Sequence, residues 1–221
     1  MSSRAPAIPT IDRAALVIVD VQLDFLPDGA LAVAGGDGIL APLATLMRSG
    51  VFRDLVATQD WHPLDHVSFA SQHPPRRAFE TISLYGHEQI LWPDHCVAGS
   101  RGAALHPALP WELVRAIVRK GTDPAVDSYS AFRHNYDARG ARPPTGLGGY
   151  LRDCGIDAVY VCGLARDFCV RATAEDAADL GFRTTVLWDL TQPVAASSDT
   201  GVRLALERAG VEILDSAALA H

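Results

Sequence analysis

The fold is decided by a short apolar stretch near the N-terminus, Ala15-Leu16-Val17-Ile18-Val19, which is followed by Asp20. A run of this length, rich in β-branched residues and without polar alternation, is typical of a strand buried on both faces of a parallel sheet. Helical spacing of apolar residues follows in residues 37–49 and stops at Gly50, a residue suited to end a helix. The stretch therefore predicts the first strand of an α/β domain, with a carboxylate at the strand's end.

The same alternation of strand and helix continues along the chain. Further strands are predicted at residues 54–58, 113–118, 158–162, 184–188 and 211–214, and further helices at 147–153, 168–180 and 198–209. Residues 61 to about 110 form a long irregular stretch, which in a compact domain is usually functional. The pattern predicts a three-layer α/β/α fold with a mostly parallel sheet of about six strands. We expect a single domain over residues 1–221, with residues 1–13 as an N-terminal extension.

The composition favours an enzyme that works inside the cell. The chain has 221 residues, of which 48% are hydrophobic, enough for a substantial core. Its formal net charge of -7, without long runs of one sign, argues against a surface for nucleic acid or anionic membrane. The N-terminus lacks the apolar segment of a secretory signal, and no stretch approaches the roughly 18 apolar residues of a membrane helix. The four cysteines lack the spacing of a disulfide framework, which predicts reduced thiols and a cytoplasmic location.

A loop rich in metal-binding side chains follows the second predicted strand: Asp60-Trp61-His62-Pro63-Leu64-Asp65-His66. A further histidine, His95, lies in a second loop, Trp92-Pro93-Asp94-His95-Cys96. Carboxylate oxygens and neutral imidazole nitrogens together suit a borderline divalent metal such as zinc, iron or manganese. Short patterns of this kind also arise by chance, so polar groups that cap turns are the alternative interpretation.

Reactive side chains fall where several predicted strands end. Asp20 and Asp60 end the first two strands, Lys120 ends the third, and Cys169 follows the fourth. Because ligands of open parallel sheets bind beyond the carboxyl ends of the strands, we expect these four groups to gather at one edge. This clustering would not be expected of scattered polar residues.

Two of these residues carry additional weight. Lys120 is the only lysine among 19 lysines and arginines, and a compact ammonium suits a buried site that cannot accept a guanidinium fork. The alternative is that one lysine survived a compositional bias. Cys169 falls in the first turn of the predicted helix after Gly163, where a helix N-terminus lowers the pKa of a thiol and its free N–H groups can stabilise an oxyanion. The alternative is a small thiol packed in the core.

Five motifs, in this order along the chain, resemble those of the nicotinamidase (pyrazinamidase) members of the isochorismatase-like cysteine hydrolases. They are residues 19–25, residues 60–63 with His66 and residues 68–70, residues 92–96, residues 120–121 with residues 127–132, and residues 163–169. The resemblance runs from about residue 15 to residue 214. Wider relatives that hydrolyse isochorismate or ureido compounds share the aspartate, lysine and cysteine but usually lack the metal histidines. The histidines of this chain therefore favour the nicotinamidase members.

The resemblance implies a role for each motif residue. The implied catalytic triad is Asp20, Lys120 and Cys169, the implied metal ligands are Asp60, His62, His66 and His95, and the residues implied to enclose an aromatic substrate are Phe25, Trp92 and Tyr129. A cis peptide between Leu164 and Ala165 would direct the N–H groups of Ala165 and Cys169 into an oxyanion hole. Two positions depart from the family pattern, because Arg166 stands where a small hydroxyl residue is common and Leu23 where asparagine is common.

The implied activity is hydrolysis of nicotinamide, and of pyrazinamide, to the acid and ammonia through a cysteine thioester, in NAD salvage. One alternative is a related metal-dependent hydrolase that acts on another small amide or ureido compound. Another is a non-catalytic metal-binding protein in which Cys169 is structural. Neither a G-x-G-x-x-G turn after the first strand nor a P-loop is present, which argues against a nucleotide cofactor. The sequence leaves the physiological metal and the formation of a homo-oligomer open.

Overall fold

The computed structural model describes residues 11–220 and is built around one six-stranded sheet. The strands of this sheet are β1 (Ala14–Val19), β2 (Asp54–Asp60), β5 (Ala116–Lys120), β6 (Ala158–Leu164), β7 (Arg183–Gln192) and β8 (Glu212–Leu214), and a separate hairpin is formed by β3 (Thr81–Leu84) and β4 (His87–Ile90). The order in the main sheet is β5-β2-β1-β6-β7-β8, and every pair of neighbours is parallel. The predicted parallel sheet of about six strands is thus confirmed.

Helices cover both faces of the sheet. They are α1 (Leu40–Arg48), α2 (Leu147–Asp153), α3 (Arg171–Asp179) and α4 (Asp199–Arg208). Successive residues of β1, all of them buried, point into different cores: Ile18 into the core with α1, and Val17 into the core with α2, α3 and α4. This arrangement is the predicted three-layer fold. In the described part of the chain, no helix is long and apolar enough to cross a membrane.

The order of the strands reverses direction at β1. The chain moves outwards from β1 to β2 and β5 on one side, and then returns to β6, β7 and β8 on the other. In an open parallel sheet, such a reversal leaves a crevice beyond the carboxyl ends of the two central strands. Asp20 follows β1 and Cys169 follows β6, so both lie at this crevice.

The stretch predicted to be irregular, residues 61 to about 110, contains the antiparallel hairpin of β3 and β4. Its two-residue turn, Tyr85-Gly86, has positive φ at both positions (52° and 83°), as a type I′ turn requires. The prediction of an irregular stretch was wrong here because the turn lacks the Asn-Gly or Asp-Gly signal and the strands are largely exposed.

Several predicted elements have different bounds in the structure. The strand predicted at 113–118 is found at Ala116–Lys120, because residues 111–113 form a short 3₁₀ turn. The strand predicted at 184–188 continues to Gln192. The helix predicted at 168–180 begins as one wide turn, Arg166–Val170, before α3.

Part of the predicted N-terminal extension is attached to the domain. Ile11 packs against the core, and its N–H donates a hydrogen bond to the carbonyl oxygen of Val51. Residues 1–10 of that extension, and His221, lie outside the described residues.

The close contact between β1 and β6 at Gly163 can be tested by substitution. The φ of this glycine is +110°, and an added Cβ would overlap the carbonyl oxygen of Val19 on β1. We expect Gly163→Ala to lower the free energy of unfolding by roughly 2 kcal/mol or more, measured by urea denaturation. Gly201→Ala is the matched control, since a Cβ there, within α4, meets nothing within 4 Å. The control should gain about 0.5–1 kcal/mol from better helix propensity. Equal stability of the two variants would contradict this account of the contact.

Candidate active site

The four reactive groups at the strand ends lie together at the carboxyl edge of the sheet. Asp20, Asp60, Lys120 and Cys169 come from four neighbouring strands or the turns directly after them. All four side chains are buried. The four groups therefore lie close together, as was expected from the positions of the strand ends.

The ammonium of Lys120 lies at the centre of these groups. Its Nζ is 2.8 Å from Oδ2 of Asp20 and 2.6 Å from Oδ1 of Asp60. It also lies 3.5 Å from Sγ of Cys169 and donates a hydrogen bond of 3.0 Å to the carbonyl oxygen of Ser128. One fully buried cation thus contacts two carboxylates and a thiol.

Asp20 is held in position by Thr58, a residue that the sequence analysis missed. The Thr58 hydroxyl donates to Oδ1 of Asp20 at 2.6 Å, and the backbone N–H of Asp20 donates to that hydroxyl at 3.2 Å. Asp20 also has a positive φ of 46°, an uncommon conformation that the surrounding contacts must hold. A hydroxyl residue directly after the apolar run Leu55-Val56-Ala57 of β2 is the signal that could have pointed to Thr58.

The surroundings of Asp20 and Asp60 shift the pKa values of these two carboxylates in opposite directions. Burial raises the pKa of Asp20, and the nearby charge of Asp60 adds to this effect, while Lys120 partly offsets it. Burial would also raise the pKa of Asp60, but Lys120 and His62 outweigh it and hold that pKa well below its usual range. Asp60 therefore stays ionised, whereas Asp20 binds a proton more readily than an ordinary aspartate does.

The thiol of Cys169 is protonated at rest. Burial raises its pKa well above the usual value, and Lys120 only partly compensates. The expectation that a helix N-terminus would lower this pKa was wrong, because removal of water from the thiolate is the larger effect here. A nucleophilic role consequently requires a base next to the thiol, and a carboxylate oxygen of Asp20 lies within 4.8 Å of Sγ.

Asp60, His62 and His95 bring one donor atom each within 4.8 Å of one another. Oδ2 of Asp60 lies 3.3 Å from Nε2 of His62 and 3.8 Å from Nε2 of His95. Nδ1 of His62 lies 3.1 Å from the carbonyl oxygen of Gly121, and Nδ1 of His95 lies 2.8 Å from that of Pro93. Backbone acceptors at Nδ1 favour the tautomer whose Nε2 lone pair is free, which suits metal binding.

His66 lies beside this group on the far side of His62. The two ring centroids are 4.2 Å apart, and the donor atom of His66 groups with His62 and Asp127 rather than with Asp60 and His95. Nδ1 of His66 is 2.8 Å from the hydroxyl of Ser68. Burial lowers the pKa of His66 to about 4, so its imidazole is neutral at neutral pH.

A pocket opens between the cysteine and the histidines. Its lining includes the three aromatic residues that the family resemblance implied, Phe25, Trp92 and Tyr129. Four other lining residues were not predicted from the sequence: Leu31, Asp127, Phe168 and Val194. Phe168 directly precedes Cys169, which could have drawn attention to it, and its ring meets that of Trp92 edge to face at 4.8 Å. Val194 lies in the loop after β7, where no sequence signal marks it.

The turn before Cys169 forms one side of the pocket. The peptide between Leu164 and Ala165 is cis, as the family resemblance implied. Ala165 lines the pocket beside Cys169. Its carbonyl oxygen accepts hydrogen bonds from the N–H groups of Phe168 and Val170, which closes the wide turn around the cysteine.

Comparison with known families agrees with this geometry. The family model described as the isochorismatase domain matches residues 14–218. The chain belongs to the isochorismatase family. Its curated relatives include the nicotinamidase of Acinetobacter baylyi, which is 46% identical over 187 residues and aligned over 83% of each chain.

Solved structures of family members have the same fold. The nicotinamidase/pyrazinamidase of Acinetobacter baumanii has a TM-score of 0.87 and 42% identity, with 98% of this chain and 100% of that chain covered. PnC1 from L. infantum, in complex with nicotinate, has a TM-score of 0.82 and 40% identity, with 95% and 96% covered. The pyrazinamidase of Pyrococcus horikoshii, in complex with zinc, has a TM-score of 0.72 and 32% identity, with 92% and 99% covered.

Neither departure from the family pattern lies in the pocket lining of the described residues. Arg166 is buried and forms hydrogen bonds to Thr191 and Asp199, so it supports a loop rather than the pocket rim. Leu23 donates its backbone N–H to the carbonyl oxygen of Ala104, a contact that does not depend on its side chain.

Lys120→Met should show how much this family member depends on its buried cation. The substitution leaves two buried carboxylates without their partner, so we expect the free energy of unfolding to fall by about 3–5 kcal/mol in urea at neutral pH. Adding Asp20→Asn should recover part of that loss, because it removes one of the uncompensated charges. A Lys120→Met protein with unchanged stability would mean that Lys120 does not neutralise these carboxylates.

Proposed function

We propose that the chain is a nicotinamidase, an amidohydrolase that converts nicotinamide to nicotinate and ammonia. One observation carries the proposal: Cys169, which Lys120 connects to Asp20, and the Asp60–His62–His95 group line the same aromatic pocket. The first arrangement suits nucleophilic attack on an amide, and the second suits a metal beside a flat heteroaromatic ring. The nicotinamidase names of the relatives support the same substrate.

In the first half of the reaction, Asp20 accepts the proton of Cys169 and Sγ attacks the carboxamide carbon. The raised pKa of Asp20 makes it a better base than an ordinary aspartate. Lys120 holds Asp20 and the thiolate together through its contacts with both. The N–H groups of Ala165 and Cys169 are proposed to stabilise the oxyanion, at typically ~2.7–4 kcal/mol per donor.

In the second half, the proton on Asp20 moves to the substrate nitrogen as the carbon–nitrogen bond breaks. Ammonia leaves, and the nicotinoyl group remains on Sγ of Cys169 as a thioester. Water then adds to the thioester carbonyl, and Asp20 accepts a proton from that water. Nicotinate is released, and Cys169 regains its proton.

The aromatic lining is proposed to select a flat ring. Phe25, Trp92, Tyr129 and Phe168 surround the pocket, and Nε1 of Trp92 donates a hydrogen bond of 3.2 Å to the hydroxyl of Tyr129. That bond orients two of the rings. Each favourable aromatic contact with a substrate is typically worth ~0.5–1.5 kcal/mol beyond its burial. Pyrazinamide has the same flat shape, so we propose it as a second substrate.

We propose that Asp60, His62 and His95 hold one divalent ion, with His66 as the fourth ligand. The donor set of carboxylate oxygen and neutral imidazole nitrogen suits zinc, iron or manganese. When bound, the ion supplies a Lewis acid that can orient the ring nitrogen of the substrate or activate water. Nδ1 of His62 and of His95 faces a backbone carbonyl, so the Nε2 atoms, which point towards Asp60, would be the nitrogen ligands.

A role in NAD salvage in the cytoplasm follows from this substrate and from the need for a reduced thiol. Two other functions stay distinguishable by experiment. A relative that acts on another small amide or ureido compound would use the same cysteine, whereas a non-catalytic metal-binding protein would not need it.

The proposed activity is tested by ammonia release from nicotinamide in a coupled assay. The purified protein should turn over nicotinamide, and Cys169→Ala should reduce turnover by at least about 10³-fold, the scale of losing a catalytic nucleophile. Cys162→Ala is the matched control, because Cys162 is also buried but lies inside β6. Release of ammonia from a ureido compound but not from nicotinamide would favour the first alternative. Full turnover by Cys169→Ala would exclude the thioester.

The proposed metal is tested by elemental analysis together with activity. Freshly purified protein should contain about one zinc, iron or manganese ion per chain, and a strong chelator should remove it with loss of turnover. His62→Ala should lower the metal content in the same way. His87→Ala is the control, since its exposed ring stacks on Tyr136 outside the group. Active protein that contains no metal would contradict the assignment of these ligands.

A further inference from the structure

Arg166, in the turn that carries Cys169, holds both ends of a loop that is distant in the sequence. Its Nε donates to the hydroxyl of Thr191 at 2.8 Å, and its Nη2 donates to the carbonyl oxygen of the same residue at 2.7 Å. Its Nη1 lies 2.8 Å from both carboxylate oxygens of Asp199, the first residue of α4. The guanidinium therefore bridges the two ends of residues 191–199.

Asp167, the next residue in the turn, holds the middle of the same segment. Oδ1 accepts a hydrogen bond of 2.9 Å from the N–H of Val194, and Oδ2 accepts one of 3.0 Å from the N–H of Ala195. The hydroxyl of Ser198 donates to Oδ2 as well, at 3.1 Å. Residues 193–195 belong to no helix or strand, so these bonds replace the regular pairing that would otherwise order them.

The segment matters for the pocket because Val194 forms part of its wall. Val194 lines the same pocket as Cys169 and Phe168. Arg166 itself lies outside that lining, and its side chain forms hydrogen bonds to the two ends of the segment that carries Val194. The position of Val194 thus depends on contacts made by the nucleophile turn.

The geometry of Arg166 is tightly determined. Its guanidinium lies 3.9 Å from the ring centroid of Trp188, and that of Arg203 lies 3.8 Å from the same centroid. The fork of Arg166 is planar, and its donors match the acceptors of Thr191 and Asp199 without rearrangement. A lysine or a small hydroxyl residue could not make the same set of bonds.

We propose that Arg166 is a positioning residue that shapes the substrate pocket by fixing residues 191–199, and Val194 with them, against the nucleophile turn. The inference rests on the proposed function for the identity of the substrate. In this proposal, Arg166 influences substrate affinity without contacting the substrate.

Hydrogen exchange tests the structural half of the proposal without reference to any substrate. Arg166→Met keeps the length of the side chain but removes its donors. We expect amide exchange in peptides covering residues 191–199 to rise by at least about 10-fold, the loss expected when charge-assisted hydrogen bonds are removed. Arg203→Met is the matched control, because among the described residues Arg203 stacks on Trp188 without a hydrogen bond to the segment. Unchanged exchange in Arg166→Met would overturn the proposal.

Steady-state kinetics with nicotinamide test the functional half. Arg166→Met should raise KM by about 10-fold, the scale of one lost group in an apolar pocket, with a smaller change in kcat. Val194→Ala should raise KM to a similar extent. The double variant Arg166→Met/Val194→Ala should raise KM no further, because both substitutions act through the position of Val194 in the pocket wall. A purely structural role would reduce the active fraction, and therefore the apparent kcat, with KM unchanged.

The outcomes separate this inference from the proposed function. An unchanged KM in folded Arg166→Met, or KM effects that multiply in the double variant, would overturn the positioning role. Wild-type protein that fails to hydrolyse nicotinamide would contradict the proposed function, while the exchange measurement would still decide whether Arg166 holds the segment. If Arg166→Met does not fold, Asp199→Ala removes the more exposed partner of the same contact and carries the same expectations.

Discussion

The site depends on one buried ammonium that is shared between two carboxylates. Lys120 contacts Oδ2 of Asp20 at 2.8 Å and Oδ1 of Asp60 at 2.6 Å, and all three side chains are buried. One cation cannot neutralise two full negative charges, so the two groups differ in pKa: that of Asp60 falls and that of Asp20 rises. The same ammonium lies 3.5 Å from Sγ of Cys169, so the cation, the two carboxylates and the thiol form one buried cluster.

Asp60 connects this contact to the histidines. One of its oxygens faces Lys120 and the other faces Nε2 of His62, so a single carboxylate belongs to both halves of the site. The sheet makes this sharing feasible, since β5, β2, β1 and β6 are neighbours and deliver their terminal residues to one edge. Loops then complete the pocket, and the turn of Cys169 binds one of them through Arg166 and Asp167.

The sequence predicts those features that depend on local pattern or on strand order. The apolar run of β1 indicates a buried parallel strand. Because ligands of parallel sheets bind beyond the carboxyl ends of the strands, the sequence also predicts that four reactive residues lie close together: Asp20, Asp60, Lys120 and Cys169. Membership of the isochorismatase family is confirmed over residues 14–218. Thr58, Val194 and the contacts of Arg166 escape prediction because they depend on how distant segments pack. The raised pKa of Cys169 escapes it as well, because desolvation follows from burial in the finished fold.

Partitioning with hydroxylamine tests the central claim, that the amide is cleaved through an acyl group on Cys169, most directly. Nicotinamide and methyl nicotinate differ only in the leaving group, so a common nicotinoyl thioester must divide between water and hydroxylamine in the same way for both. The account predicts the same ratio of nicotinohydroxamate to nicotinate from the two substrates at each hydroxylamine concentration. Ratios that depend on the leaving group would contradict it, because water or hydroxylamine would then attack each substrate directly.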